Sequence, residues 1–108
     1  MEEKAPVRFE AAGERARVVV EAERLRTEDR EAFSEALRQA AGAAAPVVEV
    51  DLTRTGFMYS LFVGVLLDGV KRAREAGKDV EIFASGPLYN LLEELGVGSA
   101  ATLVKTGG

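Results

Sequence analysis

Few side chains in this sequence are placed to do chemistry, and Ser60 is the first of them. It stands where a helical pattern begins, so its hydroxyl reads as a helix N-cap. A phosphate added there would meet free backbone N–H groups and the positive end of the helix dipole. Asp51 closes an apolar run, the place where open α/β sheets present ligand groups, and Arg54 follows three residues later; the pair is a candidate site for a small molecule or nucleotide. A strand-end aspartate also caps loops, so both roles stay open for Asp51. Glu93 and Glu94 are adjacent and do not share a helix face, which makes a two-carboxylate acid/base pair a poor reading. Gly96-Val97-Gly98-Ser99-Ala100-Ala101 spells the G-x-G-x-x-A of a dinucleotide fingerprint. It follows a helical pattern instead of opening one, and Gly96 reads better as a helix C-cap.

Composition narrows the chemistry further. The 108 residues include no histidine and no cysteine, which removes thiol nucleophiles, disulfides, the common Cys/His metal sites and the usual general base near neutral pH. We therefore expect no enzyme, no cofactor and no metal. With 14 Lys+Arg against 18 Asp+Glu the net charge is −4, and no basic stripe is present to neutralise phosphates, so nucleic acid is not an expected partner. Met1 to Pro6 has no apolar h-region, which predicts a cytoplasmic chain. The most apolar stretch, Gly56 to Leu67, falls well short of the roughly 20 residues of a membrane span.

The elements that must position these residues follow from periodicity. Val7–Ala11 and Arg17–Ala22 read as a hairpin around Gly13-Glu14-Arg15. Thr27 is a candidate N-cap for a helix whose Phe33, Ala36, Leu37 and Ala40 share one face before Gly42. Val47 to Leu52 reads as a central buried strand. Val63, Leu66, Leu67 and Val70 define a second helix from Ser60 to Ala76, with the sheet beneath them. Asp79–Ala84 is a further strand, Ser85 caps a third helix carrying Leu88, Leu91, Leu92 and Leu95, and Ala101–Lys105 is a last strand before the frayed Gly107-Gly108. The order ββαβαβαβ predicts a single α/β domain over 1–108, with a mixed, largely parallel sheet flanked by helices.

Val48-Glu49-Val50-Asp51-Leu52 followed by a short loop and Ser60-Leu61-Phe62-Val63-Gly64-Val65-Leu66-Leu67 resembles the signature of the STAS family, and of its anti-sigma factor antagonists in particular. Arg74-Glu75-Ala76-Gly77-Lys78 before the next strand and Ser85-Gly86-Pro87 leading to Leu91-Leu92-Glu93-Glu94-Leu95-Gly96-Val97 extend the resemblance. It covers roughly Arg17 to Ala101. Aligned on Gly64-Val65-Leu66-Leu67, the family's Asp-Ser-Ser-Gly falls on Tyr59-Ser60-Leu61-Phe62, which keeps one serine. The family's Gly-x-Leu after the second strand is replaced by Ala22-Glu23-Arg24-Leu25.

What the resemblance implies is a bacterial partner-switching module that docks an anti-sigma factor or serine-kinase-like ATPase, with Ser60 as its phosphorylation site. A second implication is the STAS subunit of a phospholipid-trafficking ABC transporter, docking the ATPase without phosphorylation. The kinase-type partner approaches this loop closely, so Phe62 in place of glycine is expected to obstruct it. From the helical wheel, Leu61 and Val65 stand opposite the sheet-facing residues. With Phe57 and Met58 in the loop, Tyr59 and Ser60 at the helix start and Phe62 at the flank, they make up the expected partner-binding patch. The N-terminal loop or a homodimer is the alternative cover for the same side chains.

Overall fold

The computed structural model describes residues 5–107. The expectations placed on Met1 to Lys4 and on Gly108 lie outside the described residues. The elements are β1 (Val7–Ala12), β2 (Arg15–Val20), α1 (Arg30–Gly42), β3 (Val47–Asp51), α2 (Ser60–Glu75), β4 (Asp79–Ala84), α3 (Gly86–Glu94) and β5 (Thr102–Lys105), with one-turn 3-10 helices at Thr27–Asp29 and Val97–Ser99. The sheet runs β1-β2-β3-β4-β5; β1 is antiparallel to β2 and every other pair is parallel. The predicted order and mixed, largely parallel sheet are both present.

Parallel neighbours that advance in one direction across the sheet, joined by right-handed crossovers, put α1, α2 and α3 on the same face. The alternating burial of β3 and β4 records this. Val18, Val20, Val48, Val50, Leu52, Val80 and Ile82 point under the helices and are almost fully buried. Val47, Glu49 and Asp51 point the other way and are half-buried, so β3 is buried on one face and not on both as expected. The helix-free face carries a lattice of ion pairs. Arg17 meets Glu49 at 2.9 Å, Glu10 at 3.0 Å and Asp51 at 3.5 Å, and Arg15 meets Glu49 at 3.3 Å and also pairs with Glu81.

Local chemistry sets the boundaries. The hairpin closes in two residues, Gly13 and Glu14, with Gly13 at φ +62°, a left-handed value at the first turn position that suits the twist of the flanking strands. Both strands are accordingly longer than predicted at this end. Thr27 is not the cap of α1: the turn begins one residue earlier, where the Arg26 N–H donates to Asp29 Oδ2 at 2.8 Å. The buried stripe of α2 is Phe62, Val63, Leu66, Gly69, Val70 and Ala73, rotated from the expected one, with Leu67 only half-buried. The cause is Gly69, where a Cβ would lie 2.8 Å from Leu37 Cδ1. Its bare backbone lets α1 close against that side of the helix.

Candidate functional site

The carboxyl ends of β2 and β3 open into two segments that fasten each other. After β3, Asp51 Oδ1 accepts from the Thr53 N–H at 2.9 Å and the Thr53 hydroxyl at 2.6 Å. Its other oxygen lies 3.5 Å from Arg17. Asp51 thus terminates the strand and starts the loop. Arg54 turns to Glu21 at 3.2 Å and lines a shallow cavity with Pro6 and Ala22, and Asp51 is not among that cavity's walls. The structure therefore does not bring Asp51 and Arg54 together as a ligand site.

Two further bonds tie the loop to the segment after β2. The buried Thr55 hydroxyl donates to the Ala22 carbonyl at 2.8 Å, and the Gly56 N–H donates to the Glu23 carbonyl at 3.0 Å. The bare backbone of Gly56 leaves room for the exposed Glu23 carboxylate, which lies 2.2 Å from where a Cβ would stand and would have to swing aside for any larger residue. Neither contact has a sequence signal, since the partners are some 33 residues apart.

Beyond Gly56 the side chains separate into two sets. Met58 and Phe62 point inward and are 2% and 1% exposed, with the Phe62 ring 6.2 Å from that of Phe33. Both were expected in the surface patch, and both belong to the core instead. The Phe62 ring, which stands where the family has glycine, is thus turned into the core and away from the surface. Phe57, Tyr59 and Leu61 point outward at 39%, 47% and 41% exposure. They are three of the four exposed large apolar side chains among the described residues, Leu95 being the fourth. The Phe57 and Tyr59 rings meet edge-to-face at 4.9 Å, and the Arg24 guanidinium sits 5.1 Å and 5.8 Å from their centroids. Val65 is half-buried beside α1 and contributes little to this surface.

Ser60 is exposed and is the first residue of α2. The N-cap is Tyr59, whose carbonyl accepts the Phe62 and Val63 N–H groups at 2.9 and 3.2 Å and whose side chain makes no cap bond. Ser60 is thus one position inside the helix and not at its cap. Beside it a groove of about 570 Å3 runs between the β2–α1 connection and the first turn of α2. Leu25 and Phe62 form its floor, Leu61 and Tyr59 one wall, and Arg24 and Arg26 its rim.

The sequence profile of the family described as "Mlab, STAS domain" matches residues 7–105. The chain belongs to the STAS family. Among solved STAS-like structures, an anti-sigma factor antagonist from Mycobacterium paratuberculosis superposes with a TM-score of 0.79 at 17% identity, covering 93% of this chain and 85% of that one. The anti-sigma factor antagonist SpoIIAA in its unphosphorylated form gives 0.68 at 17% identity, covering 94% and 88%. No curated relative matches the chain. These likenesses show a shared STAS fold. Within it, the outward-facing Phe57, Tyr59 and Leu61, with Ser60 among them, stand at the start of α2.

Proposed function

We propose that this chain is a non-catalytic docking module of the cytoplasm, which captures a protein partner through Phe57, Tyr59, Leu61 and the exposed face of the first turn of α2. The observation that carries the reading is the gathering of three large apolar side chains at one helix start on an otherwise charged surface, the usual mark of an interaction site. The solved structures it is similar to are anti-sigma factor antagonists, and by that likeness the partner is an anti-sigma factor or serine-kinase-like ATPase. Ser60 is exposed at the first helical position, where a phosphate would add negative charge in the middle of the contact surface.

A second reading, the STAS accessory subunit of a phospholipid-trafficking ABC transporter, is favoured by the loss of three of the four Asp-Ser-Ser-Gly residues, since it needs no phosphorylation. Affinity capture with the full chain, comparing wild type with Leu61→Ser, tests both. Recovery of a kinase-like ATPase with a sigma factor supports the first reading, and recovery of an ABC ATPase the second. A partner bound equally by wild type and Leu61→Ser would overturn the proposed surface. Equal affinity of wild type and Ser60→Asp would remove the phosphorylation switch.

A further inference from the structure

We propose that the groove beside Ser60 takes an acidic peptide segment of the partner, a bulky apolar side chain flanked by aspartates or glutamates. This deepens the docking reading above and rests on it. The groove has an apolar floor in Leu25 and Phe62 and a volume of about 570 Å3, within the range of about 300–1,000 Å3 typical of ligand sites. Two guanidiniums and no carboxylate line it, in a chain whose net charge is −4. No Asp or Glu occurs between Asp51 and Asp68, so the N-terminal N–H groups of α2 have no acidic residue in the first turn to balance them.

Both cations are available. Among the described residues Arg24 makes no ion pair and rests on the Phe57 and Tyr59 rings. Arg26 faces Glu28 only at 3.9 Å, with both side chains about three-quarters exposed. The nearby Glu23 carboxylate is turned against Gly56. A carboxylate arriving at this rim would gain charge-assisted hydrogen bonds from two planar donors, of which Arg24 is already held against the Phe57 and Tyr59 rings. The groove continues into the exposed Phe57 and Tyr59 shelf, so a stretch of chain covers it more completely than a small amphiphile does.

Selection of short random peptides on the immobilised full chain, followed by fluorescence anisotropy, tests the inference. The expected winners carry an aromatic or aliphatic residue between acidic ones, shift the amide resonances of 57–62, and lose at least about tenfold in affinity with Arg24→Glu plus Arg26→Glu. Arg24→Gln plus Arg26→Gln, which adds no new charge, should show a smaller loss at an unchanged melting temperature. Neutral or basic winners, or acidic ones indifferent to both double variants, would overturn it. So would binding of decanoate in the groove with no peptide selected. If partner capture remains sensitive to Leu61→Ser while acidic peptides fail, the groove inference falls and the docking reading stands. If Leu61→Ser has no effect on capture, the docking reading itself falls.

Discussion

At Thr55 a hydroxyl helps hold the loop after β3 to the segment after β2 through its bond to the Ala22 carbonyl. Thr55→Val keeps the volume and removes the donor. It should cost about 1–3 kcal/mol in a denaturant melt, because the part-buried Ala22 carbonyl loses its partner. Ser60 is predicted to be different. With Tyr59 at the cap, Ser60→Ala should change stability by less than about 0.5 kcal/mol, as at an ordinary surface site. Ser60→Asp should stabilise by about 0.3–1 kcal/mol through the helix dipole. A larger loss for Ser60→Ala, near the 1 kcal/mol or so of a true cap, would return the residue to the role read from the sequence. The sequence placed Ser60 at the start of α2 but did not sort its neighbours into inward and outward ones. A run such as Phe57-Met58-Tyr59 has no period, so nothing in it tells Met58, which turns inward, from the two rings that stay outside. Arg24 was invisible for a related reason, since it meets Phe57 and Tyr59 only through the fold.

Among the elements, α2 was legible in existence and extent but not in rotation. Counting aliphatic residues at i, i+3, i+4 and i+7 chose Leu67 for the core and placed Phe62 outside. A glycine adds no weight to such a count, yet Gly69 marks the side on which α1 approaches. Gly69→Ala should therefore destabilise by about 1–3 kcal/mol, as overpacking does, despite the better helix propensity of alanine. A thermal melt in which the variant is more stable would show that Leu37 yields easily. The strands were read with a different gap. Alternation in Val47-Val48-Glu49-Val50-Asp51-Leu52 is present, but the apolar total suggested burial on both faces. The charge lattice, whose Arg8, Arg15 and Asp51 stand beside Val19 and Val47 in the sheet, is assembled from four strands and has no local signature.

Over the whole molecule, charge on the helix-free face is matched across the strands. Glu49 takes Arg15 and Arg17 together. Hydrogen bonds donated by Arg15 to Glu81 and by Arg17 to Glu49 hold both guanidinium pKa values above their ordinary value. The stabilisation tied to a raised basic pKa is fully present below the unfolded pKa and is lost only as pH climbs through the folded one. These arginines therefore stay charged across the physiological range. Glu49→Gln should lower the melting temperature at about 0.05 M salt by more than at about 0.5 M, since screening weakens exposed pairs. An effect that does not vary with salt would mean that the lattice acts by packing alone.

The antiparallel pairing of β1 has a consequence for how the chain is handled. Val7 lies beside Val20, and Lys105 beside Ala84, so the backbone enters and leaves the sheet at the same rim from which the Phe57–Leu61 loop projects. The two crossing points are separated by four strand spacings, about 19 Å. A flexible tail attached at either point therefore samples the proposed docking rim at an effective concentration in the millimolar range. An acidic purification tag there should act as a tethered competitor and weaken partner capture, while the same tag inserted between Gly13 and Glu14, at the opposite rim, should leave capture unchanged.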